Sequence, residues 1–178
     1  MIKGNTTILR AIEKEDLNLL LTWRNNPEFR KYFREYRELN MVQQLDWYEK
    51  RVNNDISTRM FSITDAKGNL LGAAGLCYID WVNRTADFSI YIGHNNLYID
   101  DFYAPDAASL LIKYGIEQLG LNRLWCEIYS FDSQKILFFD KLGFRRDGLH
   151  RQTHWYGDRW HDSLFFSLLQ SDLNNHSE

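Results

Sequence analysis

Apolar and polar positions alternate in two rhythms along this chain, and the rhythms mark out short strands and a few amphipathic helices. Residues 6–12 (TTILRAI) have the β-branched content of a first strand. The run Glu13-Lys14-Glu15-Asp16 then supplies acids to a first helical turn, where the helix dipole favours them. Leu17, Leu20, Leu21 and Arg24 recur at helical spacing until Pro27, because the residue before a proline avoids the α region. A second helix is expected from about Asn40 to Val52, with Met41, Leu45, Tyr48 and Val52 on one face.

Residues 59–64 and 69–79 read as strands flanking Asp65-Ala66-Lys67-Gly68, a hairpin loop with glycine where a positive φ is wanted. Residues 84–92 (RTADFSIYI) alternate as a further antiparallel strand, and 93–104 are irregular. Pro105 suits the first position of a strongly amphipathic helix running to Leu119, closed by Gly120. Residues 122–130 (NRLWCEIYS) form a strand, and Asp132 caps a short helix ending at Lys141. A last hairpin starts at Phe144, turns at Gly157-Asp158 and ends near Leu169. This order gives one domain over 1–169, an α/β or α+β sheet layered with helices. Residues 170–178 read as a frayed polar tail.

Composition narrows the function classes. With 178 residues, 44% apolar, the chain is long enough to bury a core unaided by disulfide or metal. Aromatics at 15% exceed what one core of this size needs, so some rings are expected to line a cleft. The net charge of −3 lacks the basic excess of a nucleic-acid binder. Apolar runs are far shorter than the ~20 residues of a bilayer span, and the N-terminus lacks an apolar signal core, which together point to the cytoplasm. Cys77 and Cys126 lie in apolar stretches and read as reduced core thiols. No His/Asp/Glu set shows metal-ligand spacing.

Three stretches carry a resemblance. They are Ile8-Leu9-Arg10 with Asp16 and Trp23-Arg24-Asn25; Leu110-Leu111-Ile112-Lys113-Tyr114 with Leu119-Gly120-Leu121-Asn122-Arg123; and Phe139-Asp140-Lys141-Leu142-Gly143-Phe144 running into Arg146-Asp147-Gly148 and His161-Asp162-Ser163. In that order they resemble the GNAT superfamily, in the branch that acetylates ribosomal-protein N-termini and nucleotide-linked amino sugars. The resemblance implies a central mixed, mostly antiparallel seven-stranded sheet, flanked by about four helices and splayed between its fourth and fifth strands. It also implies transfer of an acetyl group from acetyl-CoA to a primary amine, on a small molecule or a protein N-terminus, by a monomer or homodimer.

In such folds main-chain groups of the fourth strand, here Ile90, Tyr91 and Ile92, pair with pantetheine and polarise the thioester. The pyrophosphate loop falls on Ile99-Asp100-Asp101-Phe102-Tyr103-Ala104, with Ala107 just inside the helix. That loop departs from the family pattern: it has no glycine, it contains Asp100 and Asp101, and Asp106 follows inside the first helical turn. After the fifth strand the family's Asn, Ser and Tyr correspond to Asp132, Lys135 and Phe139, and Phe139 has no proton to give a departing thiolate. Asp132 also reads as a helix cap, and Lys135 as a solvated helix lysine.

An amine must lose a proton before it attacks, and Asp87 is the candidate base, with Ser89 and Tyr91 on the same strand face and Asp80 as a fallback. For the acceptor, Phe33 and Tyr36 in the ring- and arginine-rich stretch 29–47, and His154 and Trp155 on the last hairpin, are candidate wall residues. Two rival readings remain: a binding or regulatory protein of this fold that has lost acetyl-CoA, and an acyltransferase with another donor.

Overall fold

In the computed structural model, which describes residues 1–174, one eight-stranded sheet forms the frame. Its strands are β1 (Ile2–Lys3), β2 (Ile8–Ala11), β3 (Arg59–Thr64), β4 (Leu70–Asp80), β5 (Thr85–Ile92), β6 (Arg123–Tyr129), β7 (Arg145–Tyr156) and β8 (Arg159–Leu169). They lie in the order β1-β2-β3-β4-β5-β6-β8-β7. The two-residue β1 is the strand beyond the seven expected, so the fourth and fifth expected strands are β5 and β6. The helices are α1 (Leu17–Asn25), α2 (Pro27–Arg30), α3 (Met41–Trp47), α4 (Tyr103–Lys113), α5 (Ser133–Lys141) and α6 (Gln170–Asn174). The architecture is the mixed α/β sheet that the resemblance implied.

Every strand pair is antiparallel except β5 with β6. That parallel pair is registered only at Thr85↔Arg123, Ala86↔Leu124 and Asp87↔Trp125. Beyond Asp87 the two strands part.

Several expectations need correction. Pro27 ends α1 as expected, and also opens α2, with the Asn26 side chain accepting from Glu28 N. α4 begins at Tyr103, two residues before Pro105, because the Asp100 carboxylate accepts the amides of Phe102, Tyr103 and Ala104 (3.2, 2.8 and 2.8 Å). On α3, Leu45 is exposed and Gln44 is buried, so the inward face is Gln44 and Tyr48 with Met41 and Val52 alongside. The helix widens to i→i+5 bonding over Tyr48–Asn53, which turns the apolar stripe relative to a 3.6-residue period. The segment expected to fray opens instead with α6, anchored by buried Asp172, which accepts from Leu169 N and pairs with Arg145 at 3.0 Å. The remainder of that expected tail, 175–178, lies outside the described residues.

The core gathers Leu9, Leu17, Leu20, Ile63, Leu76, Ile90, Leu111 and Phe139, among others. Each such burial stabilises by roughly 1.5–3 kcal/mol. Trp23 anchors α1 to the sheet by lying flat on Gly93. A Cβ there would come within 1.9 Å of the indole, so only glycine permits the contact. A second tie is polar: Asp16 accepts both Arg10 guanidinium bonds (2.7 Å each), the Ser62 hydroxyl (2.7 Å) and Glu13 N (2.9 Å), joining α1 to β2 and β3.

Candidate active site

The odd-numbered residues of β5 face α1–α3, and the even-numbered ones face α5. Phe33 of the α2–α3 connection packs on Tyr91 (centroids 5.5 Å), while Phe88 meets Phe139 edge-on at 5.6 Å. Where β5 and β6 part, a cavity of about 860 Å³ joins the two faces. Arg24, Phe33, Arg34, Asp87, Ser89, Tyr91 and Glu127 line it on the α1–α3 side, and Cys126, Lys135 and Phe139 on the α5 side.

Ladder alternation decides which main-chain groups are open there. Gly93 N donates to Leu71 O (2.8 Å), so Tyr91, Ser89 and Asp87 turn their peptide groups to β4. The even residues turn theirs the other way. Ile92 N donates to Tyr98 O at 2.7 Å. Of the three residues expected to offer main-chain groups, only Ile90 therefore has them free in the gap.

Asp87 sits at the last paired position before the splay, 5% exposed. Burial pushes its carboxyl above the usual carboxylate range, although the Arg34 guanidinium, bonded directly to it, works against the shift. The same Arg34 reaches Glu127 at 3.1 Å, and Glu127 in turn accepts from Ser163 Oγ at 2.6 Å. Asp87, Arg34 and Glu127 form one charged cluster on the cavity wall. Glu127 escaped the sequence reading, although strand alternation through Trp125, Glu127 and Tyr129 places it on Asp87's face. Asp80 is no substitute base: it is committed to the turn after β4, accepting from Val82 N, Asn83 N and Asn83 Nδ2.

On the α5 side, Asp132 is the helix cap expected, accepting from Lys135 N at 3.1 Å, and it also takes the Tyr98 hydroxyl at 2.6 Å. Burial raises its carboxyl too. Lys135 is half-buried rather than fully solvated. It lines the cavity, with its ammonium 5.3 Å from the Tyr98 ring centroid, and burial lowers its pKa. Phe139 is wholly buried among Phe88, Phe138 and Phe144. Both thiols are free; burial pushes Cys77 up to about 12 and raises Cys126 as well.

Other candidates fall outside the cavity. Tyr36 is 76% exposed. His154 stacks on Tyr129 (3.9 Å) and Phe131 (5.8 Å), one ring layer behind the cavity residue Tyr32. Trp155 is half exposed against Trp160 at the hairpin tip. These rings sit on the long β7–β8 ribbon, whose register shifts between His150 and His154, and neither lines the cavity, which sequence order could not show. At the helix start, Ala104 and Ala107 are buried and Phe102 is exposed, packed edge-on to Tyr103. Asp106 turns away from the loop and is held by the amides of Asn5, Thr6 and Thr7 (3.0, 3.0 and 2.8 Å). Asp101 pairs with Lys141 at 2.9 Å.

A sheet split beside an open strand amide, over a cavity that joins its two faces, is the frame of an acyl-CoA-dependent N-acyltransferase. The chain belongs to the GNAT acetyltransferase family: residues 6–145 match the family model described as acetyltransferase (GNAT) domain. It is 30% identical over 170 residues to the spermidine N(1)-acetyltransferase of Escherichia coli K12, covering 96% of this chain and 89% of that one. The Vibrio cholerae enzyme of the same name is 26% identical over 172 residues, 96% of each. The crystal structure of the Vibrio cholerae enzyme with CoA and spermine superposes with a TM-score of 0.85 at 24% identity, over 95% of this chain and 98% of that one. A dodecameric structure of that enzyme gives 0.82 at 25% identity, over 97% and 98%. The protein is thus an N-acetyltransferase that uses acetyl-CoA and acts on an amine. The two rival readings from the sequence are set aside.

Proposed function

We propose that the acceptor is a small primary amine, entering on the α1–α3 face and attacking the thioester directly at the splay. The observation that most supports this is the parting of β5 and β6 beyond Asp87, which leaves the Ile90 peptide without a strand partner on that side, next to a cavity lined by the Asp87 carboxylate. Acetyl-CoA supplies the activated acetyl group. In this reading the Ile90 N–H faces the oxygen on which negative charge develops, where a fixed donor lowers the barrier. Asp87 takes the amine's proton, directly or through water, as nitrogen bonds to the acetyl carbon; the C–S bond then breaks and CoA leaves as its thiolate, which takes a proton from water. Ser89 and Tyr91, whose buried phenol is pushed up to about 12 and stays neutral, shape the wall beside it with Phe33. Tyr103, Ala104 and Ala107 at the start of α4 would meet the pyrophosphate once Asp100 moves aside, with Phe102 at the rim. Asp132, Lys135 and Phe139 border the thiol end.

Thiol release from acetyl-CoA, measured across a panel of amines, tests the reading. Asp87→Asn is expected to lower kcat tenfold or more with acetyl-CoA affinity unchanged. Only the carboxylate can accept a proton, so kcat of the parent should fall as pH drops through the raised Asp87 value, above the usual carboxylate range. An unchanged pH–rate profile in Asp87→Asn removes Asp87 from the mechanism. The second reading for the acceptor, drawn from the named activity of the relatives, is a polyamine.

For assembly we favour a homo-oligomer larger than the monomer or homodimer expected from sequence. The dodecamer solved for a relative supports it, as does the exposed, twelve-residue edge strand β7. Sedimentation as a 21.3 kDa monomer, or at twice that mass, would overturn it.

A further inference from the structure

The charges lining the cavity are unequally committed. Each of its carboxylates already holds a cation of the chain: Asp87 and Glu127 share Arg34, Glu35 pairs with Arg37 at 2.7 Å, and Asp46 with Lys50 at 2.7 Å. Arg51 is tied to Asp55 at 2.9 Å. Two cavity cations, Arg24 and Lys135, have no carboxylate within 4.0 Å among the described residues. Lys135 belongs to the α5 side. Arg24 belongs to the acceptor side, where its guanidinium carbon lies 4.6 Å from the Phe33 ring centroid. The guanidinium thus rests over the Phe33 ring, and no carboxylate among the described residues competes for its N–H groups.

From this distribution we infer that the acceptor carries an anionic group, a phosphate or a carboxylate, together with its amine, and that Arg24 anchors the anion. The inference rests on the transferase reading above and names the substrate class for it. An ammonium at the splay meets Asp87. Farther along the same strand face, Tyr91 lies about 7 Å beyond Ser89 at the usual rise of an extended chain. There Phe33 packs on Tyr91, and Arg24 packs on Phe33. The amine and anion ends of one small molecule can thus be met at once. A polyamine fits poorly, because its remaining ammonium groups would find no uncommitted carboxylate among the described residues lining the cavity and would approach an arginine that has no carboxylate partner there. At contact distances that repulsion lowers affinity by about tenfold or more. The guanidinium fork also suits planar carboxylate or phosphate oxygens, which it can bind with two parallel bonds.

The test compares kcat/KM by thiol release within matched pairs: glucosamine against glucosamine 6-phosphate, and propylamine against β-alanine, with spermidine as a fifth acceptor. The expected result is a preference of tenfold or more for the anionic member of at least one pair, with spermidine below it; the pair that responds tells phosphate from carboxylate. Arg24→Met should bring that ratio close to one, and Arg24→Lys should restore part of it. Equal rates within both pairs, spermidine as the best acceptor, or a ratio that survives Arg24→Met each overturn the inference while leaving amine acetylation intact. The comparison within the parent enzyme stands even if a variant fails to fold. Absence of thiol release with every amine refutes the transferase reading itself, and the inference with it.

Discussion

Replacing Asp100 by asparagine should tighten acetyl-CoA binding. In the structure the Asp100 carboxylate occupies the start of α4, where the proposed function puts the pyrophosphate, accepting from Phe102 N, Tyr103 N and Ala104 N at 3.2, 2.8 and 2.8 Å. A phosphate can take those amides only if the carboxylate lets go. Giving up a cap of this kind costs about 1 kcal/mol. A carboxylate left ~5 Å from a phosphate charge adds roughly 3 kcal/mol of repulsion at an effective dielectric of 20, and under 1 in water. Asp100 is only half-buried, so the lower part of that range applies. Asparagine caps a helix about as well as aspartate but brings no charge. The expected gain is therefore about 1–2 kcal/mol, or roughly 5–30-fold in Kd, with Tm unchanged. Calorimetric titration of parent and Asp100→Asn with acetyl-CoA measures it, and S-acetylpantetheine, which lacks the pyrophosphate, should show no difference. The gain should shrink in high salt, as screening shortens the reach of the carboxylate. An unchanged or weaker acetyl-CoA Kd in a folded Asp100→Asn would refute the idea that this side chain competes with the pyrophosphate.

Asp16→Ala should cost about 3–5 kcal/mol, because it strands the Arg10 guanidinium and the Ser62 hydroxyl in a largely buried tie; chemical denaturation measures it. Burial opposes ionisation of Asp16, but Arg10, Glu13 N and Ser62 outweigh it and hold the carboxyl below its ordinary value. Its stabilisation is present above the unfolded value and lost as pH falls through the lower folded one, so parent and variant should converge in acid. Lys135→Met should raise stability at neutral pH, since burial disfavours the ammonium. The folded lysine releases its proton before the unfolded one does. The parent should therefore gain stability as pH rises from the lowered folded value towards the ordinary lysine value, and the variant should lack that rise. Equal stability–pH curves would mean that the amine is solvated.

The strands were legible because alternation and turn chemistry act over two to four residues. Residues 59–64, the Asp65–Gly68 turn and the Gly157-Asp158 hairpin stand where the pattern put them, with Gly68 at φ +87° and Gly157 at +59°. The Asp132 cap was equally local, a side chain reaching an amide three residues on. Family-specific runs spread from residue 8 to 163 added the order of the sheet, and with it the splay. What the pattern misjudged, such as Leu45 and the start of α4, turned on a widened helical turn and on a cap from Asp100, whose partner amides lie two to four residues away but compete with Pro105 for the helix start.

The site was less legible, because its defining contacts cross the chain. Arg34 reaches Asp87 over 53 residues and Glu127 over 93, and Asp106 finds its amides about a hundred residues back. No local rule states where a long, flexible side chain will end, and a loop aspartate has many possible donors. His154 and Trp155 looked like wall residues from their composition, yet His154 stacks on Tyr129 and Trp155 is half exposed, and neither lines the cavity. The sequence by itself determined seven of the eight strands, four of the six helices, the family and the carboxylate on β5. Tertiary structure alone decided which peptide group is open, which charges are already paired and which cavity arginine lacks a carboxylate partner among the described residues, since those depend on through-space partners that periodicity does not encode.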